Sequence, residues 1–347
     1  MVEGRTQKLI DTILLSAVSK KASDIHITTN CEAFFRIKGR LLREEDRKYT
    51  LEEVDQMVRE LTGDKYDDFI KNKQLDIAYM IPDVARFRVN AYFQRGTISI
   101  TLRIIETDPP TLDELKMPKI FKDILHHKNG LILITGATGS GKTTTLAAIL
   151  NEINMTKEFK IVTLEDPIEY VFKNKKSLIT QREVGTDVLS FAEGLKAMLR
   201  QDPDVVVAGE LRDHETMELA LTAAETGHLV LATLHTNSAI SSVERVIGVF
   251  PPEQQERIKL QLSKSLRAVI SQHLVPTVSG GRTVALEVLV NTKGISNLIR
   301  ENKLTQIPNM MKMGRNEGMC LMNDYLDSLV QKGIIKDEVA EEYKSKQ

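Results

Sequence analysis

The sequence predicts an α/β protein in which a mainly parallel sheet flanked by helices follows a smaller α+β domain, and three observations carry that prediction. Apolar strand-like runs alternate with helical patterns at 131–135, 161–164, 205–208, 229–234 and 284–290, the alternation that parallel sheets produce. The first of these runs ends in Gly136-Ala137-Thr138-Gly139-Ser140-Gly141-Lys142-Thr143, the order strand, glycine-rich loop, helix start. Before them, Asp108-Pro109-Pro110-Thr111 is the strongest breaker in the first half and closes a strand-rich region.

Taken in order, Leu9, Ile10, Ile13, Leu14, Ala17 and Val18 recur at helical spacing and open the chain with an amphipathic helix. Ser23 to Ile27 alternates like a strand, and Phe34 to Leu42 reads as a hairpin turning at Lys38-Gly39. Thr50 is placed to cap a helix running to about Leu61, with Glu53 three positions on as in a capping box. Asp76 to Met80, Arg86 to Phe93 and Thr97 to Ile105 are further strands. The expected organisation is a first domain over 1–107, a linker at 108–112 and a second domain over 113–347. A helical pattern spans Ile120 to His126; another begins near Gly294 and is broken by Pro308, Gly314, Gly318 and Gly333.

Composition narrows the classes. Lys+Arg 47 against Asp+Glu 48 leaves a net charge of -1, so no global basic field calls for nucleic acid. Cys31 and Cys320 form neither a disulfide framework nor a zinc-type spacing. The start has no signal-peptide layout and no apolar run is long enough to span a bilayer, so a cytoplasmic protein without a transmembrane segment is expected.

The loop residues Gly136, Ala137, Thr138, Gly139, Ser140, Gly141, Lys142, Thr143 and Thr144 are the candidate nucleotide cradle. Glycines let backbone N–H groups crowd a polyphosphate, and the following helix adds the positive end of its dipole. Lys142 is suited to reach the β- and γ-phosphates of ATP and the Thr143 hydroxyl to hold Mg2+. Behind the next strand come Glu165 and Asp166, of which Glu165 is the candidate to position or deprotonate the attacking water. Asp166 either orients its neighbours or caps a turn closed by Pro167. The run Val205 to Ala208 ends in Gly209-Glu210, an acid able to hold Mg2+ through water and complete the oxygen shell begun by Thr143. His228 and His235 stand at the two ends of one strand, and His235, followed by Thr236 and Asn237, is placed to sense the γ-phosphate. Strands of the first domain carry Arg86, Arg88, Arg95 and Arg103, any of which supplies the guanidinium that phosphoryl transfer benefits from.

These segments resemble a known set. The loop, Leu164-Glu165-Asp166-Pro167-Ile168-Glu169-Tyr170, Gly209-Glu210-Leu211-Arg212-Asp213 and Leu234-His235-Thr236-Asn237-Ser238-Ala239 are similar to the Walker A, Asp box, Walker B and His box of the secretion-superfamily hexameric ATPases. Within it the chain resembles the branch of type IV pilus retraction ATPases. It has no long extension before Asp24 and no paired Cys-x-x-Cys motifs, and Ile295-Ser296-Asn297-Leu298-Ile299-Arg300-Glu301 resembles that branch's carboxy-terminal Ala-Ile-Arg-Asn-Leu-Ile-Arg-Glu. Ser296 stands where that motif has arginine, and Gly294 precedes Ile295. The resemblance implies a PAS-like first domain, a RecA-like P-loop ATPase domain with a helical end from about 294 to 347, and a homohexamer hydrolysing ATP with Mg2+. It implies Glu165 as catalytic base, Glu210 as the metal-serving acid, and Arg88 and Arg103 as arginine fingers. It further implies pilus retraction for twitching motility, docking on an inner-membrane platform protein of the PilC type from the cytoplasmic side, a paralogous ATPase as a possible companion, and no nucleic-acid partner. Pilus extension or type II secretion, driven by the same chemistry, is the alternative, with nucleic-acid translocation behind it.

Overall fold

A computed structural model describes residues 8–82, 84–105 and 109–344, with Glu45 described by its backbone only. The opening residues 1–7 and Asp108 of the breaker lie outside the described residues. The chain falls into two compact units, one drawn from Met1–Asp108 with Glu169–Val171, the other from Pro109–Ile168 with Phe172–Gln347.

The first unit runs α1 (Leu9–Ser19), β1 (Asp24–Thr28), β2 (Glu32–Ile37), β3 (Arg40–Lys48), α2 (Leu51–Thr62), α3 (Tyr66–Asn72), β4 (Gln74–Ile81), β5 (Ala85–Gln94) and β6 (Thr97–Ile105). Its strands form one antiparallel sheet in the order β3-β2-β1-β6-β5-β4. Alternate strand residues, Ile25, Phe35, Val89 and Leu102 among them, point to one face and pack under Ile10 and Leu14 of α1, Met57 of α2 and Phe69 of α3. The reciprocal capping box is present: Glu53 N donates to Thr50 Oγ1 at 3.2 Å and Thr50 N to Glu53 Oε2 at 2.9 Å. Two hairpins turn on residue pairs with positive φ, Lys38-Gly39 at 50° and 81° and Arg95-Gly96 at 48° and 77°, the backbone that two-residue turns of twisted hairpins demand.

The second unit runs α4 (Ile120–Asp123), β7 (Gly130–Thr135), α5 (Lys142–Thr156), β8 (Lys160–Glu165), β9 (Leu178–Glu183), α6 (Phe191–Met198), β10 (Val205–Ala208), α7 (His214–Glu225), β11 (Leu229–Leu234), α8 (Ala239–Gly248), α9 (Pro252–Ser265), β12 (Leu266–Pro276), β13 (Arg282–Val290), α10 (Lys293–Arg300), α11 (Ile307–Met313), α12 (Met322–Gln331) and α13 (Asp337–Lys344). The sheet order is β13-β12-β7-β11-β10-β8-β9, parallel from β12 to β9, with β13 antiparallel at the edge. Every residue of β7, β10 and β11 is buried, because helices cover both faces. Leu133, Val206 and Val230 face α6 to α9, while Ile134, Val207 and Leu231 face α4 and α5. Burying each such side chain is worth about 2 kcal/mol.

Two strands, β9 and β12, have no counterpart in the sequence reading. The edge strand β9 reads Leu-Ile-Thr-Gln-Arg-Glu, too polar for an apolar-run criterion, and β12 is interrupted by Arg267 and by Ser271-Gln272-His273. The run 284–290 consequently belongs not to the parallel series but to β13, which pairs antiparallel with β12 at the sheet edge. Pro308 sits in the first turn of α11, where its missing N–H costs nothing, and Gly318 and Gly333 adopt positive φ, so each breaker starts or ends a helix. Next to the breaker at 109–110, Asn151 Nδ2 donates to the carbonyls of Pro109 and Pro110 at 3.0 and 3.3 Å.

Candidate active site

Parallel strands end on one edge of their sheet, and four of these ends collect the polar residues. Register sets Thr135 beside Leu234 and Ala208 beside both Ala232 and Leu164, so the loop after β7, Glu165, Glu210 and His235 all emerge on this edge.

The loop itself is shaped by backbone demands. Gly136, Gly139 and Gly141 have φ of 148°, 79° and 89°. A Cβ on Gly136 would stand 2.5 Å from both the Gln272 carbonyl oxygen and Ser140 Oγ, so no other residue fits there. Gly141, in the left-handed region, turns the chain into α5. Lys142 is buried, and its ammonium donates to the carbonyls of Gly136 at 2.7 Å and Ala137 at 3.0 Å. From β12, Gln272 Nε2 donates to the Ser140 carbonyl at 2.7 Å and braces the loop from behind. The buried Ser140 Oγ has no hydrogen-bond partner among the described residues. First-turn amides, an ammonium and hydroxyls of Ser140, Thr143 and Thr144 around a glycine backbone form a donor set that suits phosphate oxygens.

Glu165, half-buried at the end of β8, accepts at Oε1 from Thr163 Oγ1 (2.7 Å) and Gln181 Nε2 (3.1 Å). Asp166 is exposed, in the charge field of Arg212, and precedes Pro167 through a cis peptide bond. Glu210 Oε2 accepts from Arg212 Nη2 at 2.8 Å, and Glu210 Oε1 lies 3.2 Å from His235 Nε2. Burial pulls the Glu210 carboxyl upward, but the Arg212 hydrogen bond and the charges of His235 and Arg212 outweigh it and hold the group below its ordinary value. The other ring nitrogen of His235, Nδ1, stands 3.5 Å from Thr138 Oγ1, so a line of polar contacts runs from the loop through His235 to Glu210 and Arg212. Beneath it, Thr233 donates its hydroxyl to the Gly209 carbonyl and fixes the turn that carries Glu210.

His228 lies at the opposite end of β11, bonded to the Ala223 carbonyl at 3.1 Å, and takes no part in this site. Arg88 and Arg103 belong to the first unit, where they are exposed partners across β5 and β6, and Arg103 Nε donates to Asp24 Oδ1 at 2.9 Å. Arg95 occupies a turn instead of a strand face. Sequence reasoning gives no role of their own to Arg212, Gln181 and Gln272. The first sits two residues after a strand-ending acid, a visible signal; the glutamines reach the site only through strands β9 and β12.

A family model described as Type II/IV secretion system protein matches residues 2–341. The type IV pilus retraction ATPase PilT of Pseudomonas aeruginosa is 42% identical over 334 residues, covering 96% of this chain and 97% of that one. A twitching motility protein of Neisseria gonorrhoeae is 46% identical over 312 residues, 89% of this chain and 83% of that one. The crystal structure of the pilus retraction motor PilT with bound ADP superposes with a TM-score of 0.90 at 43% identity, covering 97% of each chain.

Proposed function

The chain belongs to the Type II/IV secretion system protein family, and we propose that it is a homohexameric ATPase motor that powers type IV pilus retraction and twitching motility. The observation that carries this reading is 42% identity over 96% of the chain to a pilus retraction ATPase, and the line from Thr138 through His235 to Glu210, which links the loop to the strand-end acid, supports its ATPase part. Likeness over nearly the whole chain to a retraction ATPase and to an ADP-bound retraction motor supports nucleotide binding and the retraction branch.

In this reading Gly136 to Thr144 cradle the phosphates and Lys142 neutralises them. The Thr143 hydroxyl and, through water, Glu210 hold Mg2+, a cation that takes one or two protein oxygens and leaves the rest to phosphate and water. When bound, Mg2+ offsets the charge of the transferred phosphoryl group. Glu165 orients and deprotonates water, with Thr163 and Gln181 aiming its carboxylate. His235 senses the γ-phosphate, and Arg88 and Arg103 serve as arginine fingers. The functional division runs 1–107, linker 108–112, and 113–347. Among the described residues no helix is long and apolar enough to cross a membrane, in keeping with a ring that docks from the cytoplasm on an inner-membrane platform protein of the PilC type. A paralogous ATPase is a second candidate partner.

Deleting the gene tests the output. Retraction loss leaves cells piliated but unable to twitch, whereas bald cells would reassign the chain to pilus extension. Purified protein must also hydrolyse ATP in a Mg2+-dependent way.

A further inference from the structure

A polar row crosses the second sheet just before the loop. Ser271 of β12 pairs with Thr135 of β7 on one side and Glu287 of β13 on the other. All three are buried. The first turn of α8 docks on this row. Ser242 Oγ donates to Thr135 Oγ1 at 3.3 Å and to the Ser238 carbonyl at 2.6 Å, the Thr236 hydroxyl bonds Ser242 at 2.6 Å, and Ala239 N donates to Glu287 Oε1 at 2.7 Å. The second oxygen of Glu287 accepts from Met322 N, the first residue of α12, at 3.4 Å. Next to it Cys320 exchanges backbone bonds with Val288 at 2.9 and 3.1 Å, so the segment leading into α12 lies along β13.

Glu287 is thus a buried carboxyl whose partners are the opening amides of two helices, and burial pushes it above the ordinary carboxylate range. Burying such a group is costly, and an apolar residue would fill β13 without that cost. The carboxyl fits the need for one side chain with two acceptor oxygens. Three residues separate Ala239 from His235, so the end of α8 that Glu287 holds also fixes the course of Thr236-Asn237-Ser238.

We propose that Glu287 is a positioning residue for His235: by anchoring the start of α8 it sets the His235 contacts with Thr138 and Glu210, and through Met322 it ties the same anchor to the carboxy-terminal helices. The proposal rests on the reading of His235 as a participant in ATP turnover.

Glu287→Gln is nearly isosteric but presents one acceptor and one NH2, so it serves one amide and confronts the other with a second donor. ATP hydrolysis by the full-length Glu287→Gln, His235→Ala and double variants provides the test. If Glu287 acts through His235, Glu287→Gln lowers kcat about tenfold with KM within about twofold, and has little further effect in the His235→Ala background. Amide exchange at Ala239 and Met322 rises in the same variant. Equal kcat losses from Glu287→Gln in both backgrounds, or unchanged exchange at these amides, overturn the proposal while the site reading stands. A His235→Ala protein with the parent kcat removes the site reading and this inference together. Should Glu287→Gln not fold, Ala239→Pro enters the same cycle. It deletes the donor at a first helical position that proline tolerates, after Ser238 in extended backbone (φ -141°, ψ 164°).

Discussion

His235 Nε2 stands 3.2 Å from Glu210 Oε1, and the same carboxylate takes a 2.8 Å bond from Arg212. One side chain at the end of β10 is therefore held by two cationic or potentially cationic partners, one of which also touches the loop through Thr138. A change at the loop has a short route to Glu210.

This arrangement fixes the sign of a pH effect. Glu210 titrates below its ordinary value of 4.5 despite the opposing effect of burial. A depressed carboxylate contributes stability above its unfolded pKa and loses it as pH falls through the folded one, so Glu210 stays ionised to lower pH than a free carboxylate. Arg212→Ala removes the first of the forces opposing burial. The acid limb of kcat/KM for ATP hydrolysis then moves to higher pH. An acid limb that stays in place would show that Glu210 does not set it.

Lys142 holds the mouth of the loop from within, its ammonium on two loop carbonyls. In the Lys142→Ala protein the buried charge that phosphates would meet is gone. Binding of a fluorescent ADP analogue and hydrolysis should both fall, hydrolysis by about a hundredfold or more in kcat/KM. A parent rate of hydrolysis would move the active site elsewhere.

Short-range signals make much of the fold legible in the sequence. The glycine-rich loop, the Thr50 and Glu53 capping box and the Lys38-Gly39 turn are each written within a few residues, and each appears in the structure as local chemistry dictates. What escapes is written across long separations. Ser271 and Gln272 make β12 look too polar for a buried strand until Thr135 and the Ser140 carbonyl, more than a hundred residues earlier, bond the Ser271 hydroxyl and the Gln272 Nε2. Glu287 interrupts an apolar run for the same reason, with partners at Ala239 and Met322. At the site, strand-ending positions advertise Glu165, Glu210 and His235. Gln181 carries no such mark, because polarity in the edge strand β9 is also what solvent exposure produces, and Gln272 carries none, because its partner Ser140 lies far away in the sequence.

The capping box predicts a stability effect remote from the site. Thr50→Ala removes the acceptor for Glu53 N and leaves one of the first amides of α2 to water, and α2 contributes Val54, Met57 and Val58 to the first core. A loss of about 1 kcal/mol in the unfolding of this unit is expected, measurable as a lower denaturant midpoint with unchanged slope. An unshifted midpoint would mean that packing alone fixes the helix start.

Turnover should separate from binding at Glu165. Thr163 and Gln181 both donate to its Oε1, which orients the carboxylate. Glu165→Gln keeps the size and the strand-end position but removes the basicity. We expect nucleotide affinity to change little and kcat to fall by about two orders of magnitude, the scale of lost general-base catalysis. Thr163→Val and Gln181→Leu, which only loosen the aim of the carboxylate, should give losses smaller than that of Glu165→Gln, and pairing either with Glu165→Gln should add little. If Gln at position 165 turns over ATP at the parent rate while Gln at position 210 does not, the basic role belongs to Glu210, and the bonds from Thr163 and Gln181 serve only to finish the end of β8.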